Sequence, residues 1–181
     1  MDVNTAAKPR SRAQSEVTSS PEARVAFRIH AIPARVLSAV RASGRDAFGG
    51  AVVRLTAEGG EPIRCCLRDA RPGEELLLFG YEPPLPASPY REKGAVYGHA
   101  HESECEGPGD PSGYPREWMG RSQVLRAYDE RGWIHDATCV HDGSDPEASI
   151  AAVLARPGVV QVHSRNVAYG CFMFTITAAD G

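Results

Sequence analysis

Glycine and proline interrupt this chain so often that only short helices and strands fit between them. The 181 residues include 18 glycines and 14 prolines. Between these breaks, apolar and polar residues mostly alternate, as they do over residues 25–30. Alternation with a period of two indicates strands that have one buried face. Two segments favour helices instead: residues 33–44, which begin with a proline and end at a glycine, and residues 145–156, which begin with Asp-Pro.

The order of these elements predicts an α+β fold. We count about eight short strands and two helices, and the helices are interspersed among the strands without strict βαβ alternation. We therefore expect a single α+β domain over residues 25–181, built on a mostly antiparallel sheet. Residues 1–24 are rich in Ser, Ala, Thr and Pro and lack the apolar run of a secretory signal. Such a composition predicts a flexible tail.

Charge and cysteine content narrow the class of protein. The net charge of -3 argues against nucleic-acid binding, and no apolar run approaches the roughly 20 residues that span a membrane. The five cysteines cannot all pair with one another. We therefore expect a cytoplasmic protein whose thiols serve as metal ligands, nucleophiles or core residues. The sequence leaves the oligomeric state open.

A run of histidines and a cysteine suggests a zinc site. His99 and His101 would face the same side of a strand, and Cys105 follows in the next loop. Zinc accepts such nitrogen and sulfur ligands, and Cys139 with His141 is the only candidate second pair. The alternative is that His99 is a hydrogen-bonded core residue and the others are loop positions. A haem held by His101 and Cys105 is disfavoured because C-x-x-C-H is absent.

The adjacent cysteines suggest a reactive thiol. If residues 63–67 form a strand, Cys65 faces the core, and Cys66 lies on the other face between Arg64 and Arg68. Neighbouring guanidinium groups favour the thiolate form of cysteine. The alternative is that both arginines extend into solvent and Cys66 is merely half-buried.

The last two predicted strands suggest a binding site for an anion. If their turn centres on Ala168, Arg165 lies opposite Cys171 and His163 lies opposite Met173. Arg165 and Asn166 would then hold an anionic ligand, unless they only satisfy backbone groups of the turn. Substrate-binding candidates also follow the proline-rich loop, namely Tyr90 and Arg91.

Three hypotheses about function follow. The leading one is a pocket on one face of the sheet that binds a small anionic metabolite; if the protein is an enzyme, Cys66 or Cys171 is the nucleophile and His99 is the base. The second is a non-catalytic zinc-binding module, and the third is an interaction domain without a ligand. The residues that would line the pocket are Cys66, His99, Arg165 and Cys171, and those of the zinc module are His99, His101, Cys105 and either Cys139 or His141.

Five segments of the chain carry a resemblance to a known family. They read LRDARPGEELLL at 67–78, SPYR at 88–91, GAVYGH at 94–99, LRAYD at 125–129 and RNVAYGC at 165–171. In this order they resemble a bacterial family known only as domain of unknown function 1203, over residues 27–176. The resemblance implies no activity. Many relatives read Pro-Cys-Arg where this chain has Ile63 in place of the cysteine, which argues against a two-cysteine metal clamp at this strand.

Overall fold

The computed structural model describes residues 25–179, which form two five-stranded sheets and two helices. The helices are α1 (Ala34–Ser43) and α2 (Pro146–Leu154). The strands are, in chain order, β1 (Phe27–His30), β2 (Val53–Thr56), β3 (Pro62–Ile63), β4 (Arg68–Asp69), β5 (Glu75–Tyr81), β6 (Gly94–His99), β7 (Gln123–Tyr128), β8 (Cys139–His141), β9 (Gln161–Asn166) and β10 (Phe172–Ala178).

The first sheet contains β1 and the last four strands, in the order β1-β10-β9-β7-β8, and every neighbouring pair is antiparallel. Its core, the first core, is aromatic and aliphatic. Trp118 and Phe174 are both fully buried there, and their rings stack with centroids 6.0 Å apart. Helix α2 contributes Ile150 to the same core. Asp145 caps this helix by accepting a hydrogen bond from the backbone N–H of Ala148.

The second sheet has the order β2-β5-β6-β3-β4. Its pairs are antiparallel except for β3 and β6, which run parallel. Helix α1 contributes Leu37 and Val40 to the second core, which also holds small residues and two cysteines. This helix ends at Gly44, which has φ 65° and therefore adopts the left-handed conformation that favours glycine.

The fold class is confirmed: the described residues form an α+β structure that is mostly antiparallel. Two local predictions are wrong. Residues 64–67 form a turn between β3 and β4, so the period-two assignment of Cys65 and Cys66 to opposite faces does not apply. In the last hairpin, Arg165 pairs with Phe172, one position from its predicted partner Cys171, and His163 pairs with Thr175, two positions from its predicted partner Met173, because the register shifts between Phe172 and Phe174.

The predicted tail at residues 1–24 lies outside the described residues. No helix within residues 25–179 is both long enough and apolar enough to cross a membrane.

Candidate metal centre

A tight turn over residues 64–67, hereafter the cysteine turn, directs two thiols to the same place. The backbone N–H of Leu67 donates to the carbonyl of Ile63 at 3.0 Å, which closes the turn. Leu67 has φ 53°, a left-handed conformation that costs a non-glycine residue about 1–2 kcal/mol. The Leu67 side chain packs into the first core, while Cys65 and Cys66 pack into the second.

The end of β6 supplies an imidazole at the same point. His99 is the last residue of β6 and has no exposed surface. The Arg41 side chain, at the end of α1, fixes its backbone by donating to the His99 carbonyl from Nε at 3.3 Å and Nη2 at 3.0 Å. The preceding residue must be small, because a Cβ on Gly98 would lie 2.5 Å from Cδ2 of Leu37. Gly98 thus lets α1 approach the strand that carries His99.

A third thiol comes from the loop that follows. Residues Glu102–Glu104 form a single 3₁₀ turn, and the N–H of Cys105 donates to the carbonyl of Glu102 at 3.0 Å. Cys105 Sγ lies 3.4 Å from Cys66 Sγ. Cys105 is partly exposed, whereas the other three members of the group are buried. We call these four residues, Cys65, Cys66, His99 and Cys105, the thiol cluster.

The separations within the thiol cluster suit a tetrahedral metal ion. All four ligand atoms lie within 4.8 Å of one another. Zn–S bonds of about 2.3 Å and a Zn–N bond of about 2.0 Å place tetrahedral ligands about 3.8 Å apart for S–S and about 3.5 Å apart for S–N. Here Cys65 Sγ lies 3.8 Å from Cys66 Sγ, and His99 Nδ1 lies 3.5 Å and 3.4 Å from these two sulfur atoms. Small shifts would therefore admit a metal ion at the centre.

The other nitrogen of His99 faces a charged pair. Arg68 donates to both carboxylate oxygens of Glu74, at 3.0 Å and 2.7 Å. His99 Nε2 lies 3.3 Å from Arg68 Nη2 and 3.7 Å from Glu74 Oε1. Hydrogen bonds from Arg68 lower the pKa of Glu74 to about 2, so this carboxylate is ionised at neutral pH. A histidine that binds metal through Nδ1 carries its proton on Nε2, so metal binding here requires Arg68 Nη2, which can only donate, to move away and Glu74 Oε1 to close from 3.7 Å to hydrogen-bond distance.

The pKa values within the cluster diverge. Hydrogen bonding to Cys65 and to His99 lowers the pKa of Cys66, against the opposing effect of burial. Hydrogen bonding to Cys66 and burial both raise the pKa of Cys65. One sulfur atom of the pair is thus stabilised as a thiolate by its neighbours, and thiolate is the form of cysteine that binds metals.

Only part of the predicted zinc set lies in this cluster. His99 and Cys105 belong to it, and the two adjacent cysteines provide the remaining ligand atoms. His101 is exposed and lies beyond the end of β6. The candidate second pair belongs to the first sheet, because Cys139 and His141 are both in β8.

The residues predicted to form one anion pocket lie at two places. Cys66 lines a cavity of 640 Å³ together with Arg68 and Tyr114. Cys171 lines a different cavity of 580 Å³, which lies between the two sheets and which we call the intersheet cleft. Asn166 also lines this cleft.

The other predicted binding residues have partners of their own. Arg165 forms an ion pair with Glu92 and donates to the carbonyl of Gly170 at 2.6 Å. The Tyr90 ring packs edge-on against Trp133 with centroids 5.8 Å apart. Arg91 forms an ion pair with Glu82. The catalytic and substrate-binding roles of all these residues stay predictions.

Comparison with known proteins identifies the family. A model described as "Protein of unknown function (DUF1203)" matches residues 60–178, which include the whole thiol cluster. The match starts later than the range of residues 27–176 over which the sequence resembles this family. No curated protein and no solved structure matches the chain. On the extent of the match to its family model, the chain belongs to the DUF1203 family.

Proposed function

We propose that this protein binds one zinc ion through Cys65, Cys66, Cys105 and His99. The single observation that carries the proposal is the convergence of three sulfur atoms and one imidazole nitrogen within 4.8 Å. Thiolate and imidazole ligands favour zinc over hard cations such as Mg²⁺ or Ca²⁺, and Cys₃His is a common set in structural zinc sites.

The site is proposed to be structural. Catalytic zinc sites keep one coordination position open for water or substrate, whereas structural sites have four protein ligands. Here the protein offers all four ligands, and His99 is fully buried. The zinc ion would connect the cysteine turn, the end of β6 and the loop that carries Cys105.

An enzyme that uses Cys66 as nucleophile and His99 as base would employ the same atoms. The distance of 3.4 Å between Cys66 Sγ and His99 Nδ1 is compatible with such a pair. However, Cys65 Sγ and Cys105 Sγ also lie within 3.8 Å of Cys66 Sγ, where an approaching substrate would need space. This crowding favours the metal site.

Location in the cytoplasm is part of this proposal. The thiol cluster binds metal only when its cysteines are reduced, because thiolate is the ligand. Cytoplasmic thiols are kept reduced, whereas an oxidising compartment would favour a disulfide between Cys66 and Cys105, whose sulfur atoms lie 3.4 Å apart.

Metal analysis of the purified, untagged and reduced full chain tests the proposal. We expect about one zinc per chain, as the four-ligand geometry requires. Replacement of zinc by Co²⁺ should give the absorption bands of a tetrahedral cobalt thiolate. Cys66→Ser should lose the metal, whereas Cys171→Ser, which changes a thiol outside the cluster, should retain it.

Cys105→Ser guards against a folding defect, because Cys105 is the partly exposed ligand and its replacement disturbs the core least. This variant should stay folded and lose the cobalt bands. A folded wild-type chain that takes up no stoichiometric zinc or cobalt would contradict the proposal, and a Soret band would favour the haem alternative.

A further inference from the structure

The intersheet cleft is separate from the cavity at Cys66 and has the size of a small-molecule site. Its volume of 580 Å³ falls within the range of about 300–1,000 Å³ that is usual for such sites. Leu78 and Tyr97 of the second sheet line one side, and Met173 of the first sheet lines the other. Trp118 also contributes to the lining. The cleft therefore offers an apolar space between two sheets.

A buried guanidinium group lines this cleft. Arg64 is only 2% exposed, and its Nε donates to the carbonyl of Phe172 at 2.8 Å. Its Nη1 donates to the carbonyl of Pro62. Within residues 25–179, no hydrogen-bond acceptor contacts Nη2. Two nitrogens thus fix the group in place while the third remains able to donate to a ligand.

Two amide side chains add further donors. The Oδ1 of Asn166 accepts from the backbone N–H groups of Ala168 and Tyr169, both at 2.9 Å, and this fixes Nδ2 as the opposite end of the amide. Gln123 is 3% exposed, and its Oε1 accepts from the hydroxyl of Ser164. In the described part of the chain, neither amide nitrogen donates to an acceptor of the protein.

The charged side chains that line the cleft determine which class of anion it can bind. Arg121, which also lines it, is already paired with Asp69 at 2.6 Å. The acidic side chains of Glu58 and Glu61 lie on the same lining and would repel a dianion such as phosphate about twice as strongly as a monoanion. One available guanidinium nitrogen and two amide donors match a singly charged acceptor.

We propose that the intersheet cleft binds a small organic carboxylate. Its oxygen atoms accept hydrogen bonds from Arg64 Nη2, Gln123 Nε2 and Asn166 Nδ2. Its apolar body packs between Tyr97 and Met173. The proposal does not depend on zinc, because the cleft and the thiol cluster use different side chains.

Titration of the reduced full chain with benzoate tests the proposal, and benzamide serves as the uncharged control. We expect saturable binding of one benzoate per chain by calorimetry and much weaker binding of benzamide. Benzoate at about ten times its dissociation constant should slow alkylation of Cys171 by iodoacetamide about tenfold, because Cys171 lines the cleft. Alkylation of the exposed Cys139 should not change.

Asn166→Asp makes the test specific. The carboxylate of the new aspartate can still accept hydrogen bonds from the backbone N–H groups of Ala168 and Tyr169, so the turn is retained. The amide nitrogen that would donate to the ligand is replaced by a negatively charged oxygen. We expect benzoate to bind at least about tenfold more weakly. Gln123→Glu makes the same change at a second position and should have the same effect.

Absence of saturable benzoate binding would overturn the proposal. Equal binding of benzamide would overturn the assignment to an anion. Unchanged affinity in both variants would overturn the assignment to this cleft.

Discussion

The two cores of the protein differ in the kinds of side chain that they contain. The first core is filled by large side chains, among them Trp118, Phe174 and Leu125, each fully buried. The second core also contains large side chains, such as Phe79 and Leu76, but it includes the two thiols of Cys65 and Cys66 as well. Its strands β3 and β4 have only two residues each. Burial of apolar surface suffices to explain the stability of the first core. The second core brings thiols together at a point where a bound metal ion would cross-link its short strands and the neighbouring loop.

The largest expected effect comes from removing a large side chain from the first core. It tests whether the first core is stabilised independently of the metal site. We expect Phe174→Ala to lower the free energy of unfolding by about 3–5 kcal/mol, because it leaves a cavity beside Trp118. The loss should be the same in zinc-loaded and chelator-treated protein, measured by urea denaturation.

The zinc content of folded Phe174→Ala should remain one per chain. As a control, Val140→Ala changes a residue that is 60% exposed and should alter stability by less than about 0.5 kcal/mol. Loss of zinc from folded Phe174→Ala would show that the two cores are not independent.

Acid should weaken the first sheet through His163. This residue is 2% exposed, and burial lowers the pKa of its imidazole to about 4. Its neutral form therefore stabilises the fold fully above about pH 6.5, and this contribution is lost as the pH falls from about 6.5 towards about 4. Between pH 7 and pH 5 the expected loss is about 2 kcal/mol.

His163→Gln should lack most of this pH-dependent loss. Urea denaturation at both pH values, with a chelator present, isolates the effect from protonation of zinc ligands. The same pH dependence in wild type and His163→Gln would contradict the assignment.

The approach of α1 to β6 can be tested by one pair of glycine substitutions. We expect Gly98→Ala to cost about 1–3 kcal/mol, because its Cβ would meet Leu37 Cδ2 at 2.5 Å. Gly94→Ala, at the start of the same strand, meets nothing within 4 Å and should be nearly neutral. Thermal unfolding of both variants provides the measurement, and equal stability of the two would contradict the packing of α1 described above.

Helices of several turns, and strands in which apolar and polar residues alternate several times, could be predicted from the sequence. The left-handed Gly44 and the N-cap Asp145 mark the ends of α1 and α2 as expected. Strands β3 and β4 could not be separated, because two residues cannot display a period. The left-handed position of the turn between them is occupied by Leu67 instead of glycine, so the sequence carries no turn signal there.

The same reason explains what was missed in the thiol cluster. The spacing of His99 and Cys105 predicts both as ligands, and Cys65 is buried in the core as its sequence position predicts. A strand over residues 63–67 would point Cys65 and Cys66 to opposite faces, so the predicted strand hides the convergence of the two thiols. The prediction of His101 as a ligand requires the strand to continue past His99, where β6 ends. A long-range contact such as that between Cys66 and Cys105 leaves no local pattern in a single sequence.

Arg64 and Cys65 are adjacent in the cysteine turn, yet their side chains contact different parts of the fold. Arg64 reaches the carbonyl of Phe172 in the first sheet, and Cys65 reaches His99 at the end of β6. Inserting or deleting one residue here would displace Arg64 from the Phe172 carbonyl, Cys65 from His99 Nδ1, or both. This connection is consequently fixed in length, unlike exposed loops elsewhere in proteins, which commonly tolerate insertions.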